Sequence, residues 1–168
     1  MRAGALSDPS VAALLEEAFV CAWEKKGAVA CYRVRGESDL ELKVGGNILA
    51  YVCTPRGEVV HAIPGVWSPE MFLAELEWAR DRHRELAGLE RSDALARLRN
   101  AHRDRLPQGG RRRGQQLLST QAFLPLAQVE KPFFETLLGE PYAPEKEIIL
   151  REVSRRDLEA LLASRPRR

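Results

Sequence analysis

Three cysteines are the residues of this chain best suited to nucleophilic or redox chemistry. Cys53 follows an apolar run and precedes a predicted turn, so it could act as a redox or metal-binding thiol. It could equally fill a buried strand as a small apolar residue, a common place for free cysteine. The same two interpretations hold for Cys21. Cys31 lies in an alternating, half-exposed stretch and could be reactive, although no histidine or basic helix end is predicted beside it.

The spacing of the cysteines and histidines predicts neither a disulfide framework nor a structural zinc site. The cysteines are odd in number and form no CxxC pair. His61, His83 and His102 are too far apart in sequence to resemble a metal-ligand motif. His61 could pair with Glu58, but we predict a surface histidine. Phosphate-loop, dinucleotide, metalloprotease and hydrolase motifs do not occur, so no cofactor is expected.

One basic cluster is a candidate for anion or nucleic-acid contact: Arg103, Arg105, Arg111, Arg112 and Arg113. Arginines in such a group can bind a phosphate backbone. The alternative is a solvated linker, which the run "PQGGRRRGQQ" at 107–116 favours because it has two glycines and no apolar residue. No aromatic residue is interleaved to stack on bases. The net charge is only +2, so nucleic acid is not the expected partner.

Composition fits a globular protein with a single core and an appendage. The chain has 168 residues, of which 45% are apolar and 30% charged. No apolar run is long enough to span a membrane. The first ten residues lack the apolar centre of a secretory signal, so the expected location is the cytoplasm.

Apolar periodicity and turn residues predict the elements of the first half. Phe19–Trp23 is apolar throughout and predicts a strand buried on both faces. Residues 48–53 predict a central strand, with one face covered by the helix that Pro9 begins and the other by the helix that Ser68 caps. The full series is a helix from Pro9 capped by Ser7 or Asp8, a strand at 19–23, a hairpin at 28–35 and 40–44, a hairpin at 48–53 and 58–63, and a helix from Ser68 to about residue 87.

The second half is predicted to be mainly helical. A helical connector at 89–106 precedes the linker at 107–116, and residues 117–168 form a C-terminal extension. Within the extension, "EIILREV" indicates a short strand or helix, and "SRRDLEALLAS" a final capped helix.

Two segments in this order resemble the thioredoxin-like fold over roughly residues 5–85. The first is "LSDPSVAALLEEAFV", which is similar to the end of the redox helix. The second is "NILAYVCTPRGEVVHAIPG" with "SPEMFLAELEWAR", which resembles the last hairpin and the C-terminal helix. The resemblance implies an α/β fold with a truncated thioredoxin-like sheet flanked by helices, residues 1–88 forming the domain.

The chain departs from this family at the positions that carry its chemistry. The redox CxxC would precede Leu6, but no cysteine stands there, and no proline stands near Ile48, where the family has its cis-proline. A predicted hairpin at 28–44 replaces a crossover helix. The resemblance therefore implies a redox-inactive scaffold or interaction module with a protein partner, or a homodimer through an open sheet edge. The alternative is a thiol–disulfide oxidoreductase whose CxxC lies upstream. The weaker alternative is nucleic-acid binding through Arg103–Arg113.

Overall fold

The computed structural model of the chain describes residues 4–24, 27–36, 41–44, 48–65, 67–105, 112–138, 142–145 and 147–163. These residues form a mixed α/β structure with two separate sheets, which confirms the predicted class. The helices are α1 (Pro9–Ala18), α2 (Pro69–Leu86), α3 (Arg91–Asp104), α4 (Arg112–Gln121), α5 (Leu126–Leu138) and α6 (Arg155–Ala163). The strands are β1 (Ala28–Val34), β2 (Glu41–Val44), β3 (Leu49–Cys53), β4 (Val59–Pro64) and β5 (Glu147–Val153).

The chain divides into two compact units. The hairpin unit comprises residues 1–23 and 47–139, and the three-stranded unit comprises residues 24–46 and 140–168. The predicted hairpin at 28–44 thus belongs to the same unit as the end of the chain. Helix α4 begins at Arg112, inside the segment predicted as a linker.

The strands β3 and β4 form the antiparallel hairpin predicted from the turn sequence. Gly57 in the turn has a φ of +78°, a conformation that is costly for residues with a Cβ. The prediction of a buried central strand at 48–53 is wrong, since four of the five residues of β3 are only half-buried. The fully buried strand is β4, in which Val59 to Ile63 are all buried.

Helices cover both faces of the hairpin, as predicted, but not the helices that we expected. α1 and α2 share one face, where Val11 and Leu76 join a core with Val60 and Ile63 of β4. α4 and α5 cover the other face, with Phe133 completely buried. Helices α4 and α5, the first part of the predicted C-terminal extension, are therefore part of the core of this unit, because the strand faces are apolar on both sides and α1 leaves one of them uncovered.

The segment Phe19–Trp23 does not form the strand that its apolar run predicts. It leaves α1 with extended backbone at Phe19 but belongs to neither sheet. Val20 is 104% exposed and Trp23 is 78% exposed. An apolar run becomes a strand only where a neighbouring strand pairs with its backbone groups, and local composition does not reveal that neighbour.

Helix starts agree with the sequence predictions. The Asp8 side chain accepts hydrogen bonds from the backbone N–H of Ser10 at 2.9 Å and of Val11 at 3.3 Å. The hydroxyl of Ser68 accepts one from the N–H of Met71 at 3.4 Å. Both caps satisfy donors that the first helical turn leaves unpaired.

The three-stranded unit has the strand order β2-β1-β5. β1 pairs antiparallel with β2 and parallel with β5, which places Val34 opposite Val153 at the carboxyl ends of the parallel pair. α6 follows β5 and packs against β1. Leu158 of α6 is buried.

Candidate functional site

A β-bulge in β4 places a histidine between helices. Cys53 pairs with Val59 and Val52 pairs with His61, so Val60 is an extra residue in the strand. His61 then lies on the side of the hairpin that faces α2 and α3, and it is 1% exposed. The prediction of a surface histidine was wrong because these two helices cover the strand, a contact that the local sequence does not encode.

A carboxylate links this histidine to an arginine. His61 Nε2 lies 2.8 Å from Glu75 Oε2, on α2. Arg105, which follows α3, donates from Nη2 to both oxygens of Glu75, at 2.9 Å and 3.0 Å. Glu75 thus joins a strand, a helix and the end of a second helix through one side chain.

Two aromatic rings complete the cluster, which we call the imidazole cluster: His61, Glu75, Trp78, His102 and Arg105. The rings of His61 and His102 stack with centroids 5.5 Å apart, and Trp78 contacts both. The Nε2–H of His102 donates to the carbonyl of Val60 at 2.9 Å, at the bulge. The guanidinium of Arg105 lies 4.4 Å from the centroid of the Trp78 ring, within cation–π range.

The charge state of the cluster follows from burial and hydrogen bonding. Burial lowers the pKa of His61 below its ordinary value, and this outweighs the opposing effect of Glu75. Burial alone would raise the pKa of Glu75, but its contacts with His61 and Arg105 outweigh that effect and lower it. We assign a neutral imidazole that donates Nε2–H to an ionised carboxylate. The Nδ1 atom of His61 then has no protein partner among the described residues.

The imidazole cluster holds β4, α2 and the end of α3 together, and its histidine ring is closed to a substrate. A general base must approach the proton that it removes, and the His61 ring is enclosed by Trp78, His102 and strand β4. The sequence gives a partial signal for the cluster. Glu75 and Trp78 are three residues apart on α2, and His102 and Arg105 have the same spacing at the end of α3, which brings their side chains to the same side of the helix. Their convergence on His61 has no local signal.

The three candidate thiols do not form a common centre. Each cysteine is free. Cys53 lies on β3, where burial raises the pKa of its thiol. Cys21 is exposed in the extended segment after α1, and Cys31 lies on β1 in the three-stranded unit.

The candidate arginines have different surroundings. Arg105 is held in the imidazole cluster, whereas Arg103 is exposed and donates to Asn100 Oδ1 at 3.0 Å. Arg112 and Arg113 begin α4. Arg111 lies outside the described residues. The prediction of an anion or nucleic-acid contact stays a prediction.

A surface concavity of 490 Å³ lies in the three-stranded unit, at the carboxyl ends of the parallel strands. Arg35 and Arg155 line it together with Glu152 and Asp157. The hydroxyl of Ser154 donates to Asp157 Oδ2 at 2.7 Å and accepts from its backbone N–H, so this carboxylate takes part in the cap of α6. Charges of both signs line the concavity, and it indicates no particular ligand.

Comparison with known proteins gives no relative for this chain: no protein-family profile, curated protein or solved structure matches it. In the part of the chain that the structure describes, no helix is long and apolar enough to cross a membrane. Among the same residues, no three histidine, cysteine or acidic side chains are grouped as metal ligands would be. The thioredoxin-like resemblance therefore remains a proposal.

Proposed function

We propose that this chain is a redox-inactive, thioredoxin-like scaffold that acts by binding another protein. The observation that carries the proposal is the state of Cys53. This thiol occupies the strand of the hairpin on which the resemblance is based, and burial raises its pKa. The thiolate is the form that attacks a disulfide, so a raised pKa opposes exchange chemistry near neutral pH.

The packing of the hairpin unit supports the thioredoxin-like part of the proposal. The segments that carry the resemblance are α1, the β3–β4 hairpin and α2, and all three contribute to one core cluster. The extended, exposed segment at 19–23 departs from the expected sheet. The family assignment thus rests on the order of the segments and on their shared core.

Exposed apolar side chains support the binding part. Among the described residues of the hairpin unit, five large apolar side chains are at least 45% exposed: Leu6, Val20, Trp23, Ile48 and Met71. Exposed apolar side chains of this size are available to contact another protein. The enclosed imidazole cluster, by contrast, offers no reactive group to solvent.

Two assays test the two parts. In the first, reduction of insulin by dithiothreitol should proceed at the uncatalysed rate when the purified chain is added. Cys53→Ser should leave that rate unchanged. Catalysed reduction that disappears in Cys53→Ser would contradict the redox-inactive assignment.

In the second assay, a protein captured by wild type should be lost by the double variant Val20→Asp/Met71→Lys. Glu77→Lys changes an exposed residue of α2 and serves as the control that retains the partner. Equal capture by all three proteins would contradict binding through the apolar residues. Melting temperatures should be measured in parallel to establish that each variant is folded.

A further inference from the structure

We propose that the imidazole cluster is an acid-released latch that holds the carboxyl end of α3 against α2. The inference goes beyond the scaffold role and does not depend on the redox state of any thiol. It rests on the placement of one carboxylate among several cationic or protonatable groups, in a buried site that joins three elements.

Glu75 is the central group of the latch. Its two oxygens accept hydrogen bonds from His61 Nε2 and from Arg105 Nη2, at 2.8–3.0 Å. Charge-assisted hydrogen bonds of this kind are stronger than neutral ones. They require an ionised carboxylate, so a proton on Glu75 weakens every contact that it makes in the cluster.

The groups that contact the Glu75 carboxylate are cationic or can become so. His61 contacts it from β4, and Arg105 contacts it from the end of α3. The rings of Trp78 and His102 lie against the His61 ring. A protonated Glu75 would leave the Arg105 guanidinium without its counter-charge, and a proton taken up by His61 would add a second positive charge that repels it in a buried site.

Two buried nitrogens of the cluster have no protein partner among the described residues: Nδ1 of His61 and Nη1 of Arg105. A protonated His61 would carry a buried donor at Nδ1 without an acceptor. A buried donor without an acceptor destabilises the closed form, so protonation favours separation of the groups over rearrangement in place.

The carboxyl end of α3 is the part that can move. Arg105 is the first residue after α3, and Glu75 and Trp78 are its contacts in the cluster. β4, in contrast, is paired with β3 and packed into the core on both faces. Release of the α3 end breaks the Arg105 contacts and the buried hydrogen bond from His102 to the Val60 carbonyl, whereas loss of β4 would also break its ladder with β3, so release of α3 should come first.

The pKa values of His61 and Glu75 determine how opening of the latch depends on pH. The ordinary pKa values are 6.5 for histidine and 4.5 for glutamate, and the latch holds the pKa of both His61 and Glu75 below these values. The open form therefore takes up protons more readily than the closed form. Each such proton raises the ratio of open to closed molecules by up to about tenfold per pH unit. Opening should become more frequent below pH 6.5, and more steeply so below 4.5.

Hydrogen–deuterium exchange on the full chain tests the latch. Protection factors at residues 99–105 should fall by roughly tenfold or more between pH 7 and 5, while those at Val59–Ile63 hold. Glu75→Gln should lower protection at 99–105 already at pH 7 and weaken its pH dependence. Glu77→Gln, on the exposed side of the same helix, should behave like wild type.

Two results would overturn the proposal. One is constant protection at 99–105 from pH 7 to 4. The other is loss of protection at Val59–Ile63 in step with 99–105, which is global acid unfolding. If Glu75→Gln does not fold, Arg105→Gln can replace it, because this variant breaks the same contact at the more exposed of the two residues. This variant should show the same loss of protection at pH 7, and wild-type protection in it would also overturn the latch.

Discussion

His61 Nε2 lies 2.8 Å from Glu75 Oε2, and this contact joins strand β4 to helix α2 inside the hairpin unit. Arg105 binds the same carboxylate from the end of α3. The imidazole cluster therefore connects β4, α2 and the end of α3 through contacts whose strength depends on charge. The first two predictions test these contacts.

The free energy of unfolding should fall as the pH is lowered from 7 to 4. His61 has a folded pKa below the ordinary 6.5, so the unfolded chain binds its proton first and stability is lost as the pH falls below 6.5. Glu75 has a folded pKa below 4.5, so its contribution is complete above 4.5 and is lost below it. Urea titrations at a series of pH values measure the slope of the free energy of unfolding against pH. His61→Gln should flatten it between pH 7 and 5, and His83→Gln, a half-exposed histidine of α2, should not.

Arg105→Met should lower the free energy of unfolding by about 1–3 kcal/mol, because it leaves the largely buried Glu75 carboxylate without its cation. Arg103→Met changes an exposed arginine two residues away and should stay within about 0.5 kcal/mol of wild type. Urea denaturation at pH 7 compares the two. Equal effects would show that the Glu75 contact contributes nothing to stability.

Phe133→Ala should cost about 3–5 kcal/mol, the usual loss when a buried aromatic side chain is truncated. Phe133 is fully buried in the cluster that joins α5 to the hairpin. Glu135→Ala, at an exposed position of the same helix, should be nearly neutral. A loss below about 1 kcal/mol for Phe133→Ala would mean that α5 does not cover this face.

Gly57→Ala should destabilise by about 1–2 kcal/mol, the cost of the left-handed conformation for a residue with a Cβ. Gly57 has a φ of +78° and open space around its Cβ position, so backbone conformation is the sole expected source of the loss. Gly4 also has open space but a φ of −83°. Gly4→Ala should therefore melt like wild type, and a matching fall in both variants would contradict the conformational cause.

Alkylation should distinguish the thiols of the hairpin unit. Cys21 is exposed, whereas Cys53 is half-buried and its pKa is raised by burial. Iodoacetamide at pH 7.5, followed by peptide mass spectrometry, should modify Cys21 severalfold faster than Cys53. Faster modification of Cys53 would indicate an activated thiol and would weaken the scaffold proposal.

Features set by neighbouring residues were predictable from the sequence. The caps at Asp8 and Ser68 and the turn at Gly57 depend on contacts within a few residues. Their amino acids carry the required hydrogen-bonding groups or backbone freedom wherever the chain is folded. The mixed α/β class follows from the same local signals, and it is confirmed.

Tertiary structure decided which faces are covered and which groups meet. The sequence shows that both faces of the hairpin are apolar, but not that α4 and α5 cover one of them in place of α1. It does not show that Phe19–Trp23 stays outside the sheets, since that depends on the absence of a ladder partner there. His61 and Arg105 are 44 residues apart, yet both contact Glu75. Such contacts depend on how the whole chain packs. Helices α2 and α3, which are distant from His61 in sequence, bury its side chain and place it beside the Glu75 carboxylate.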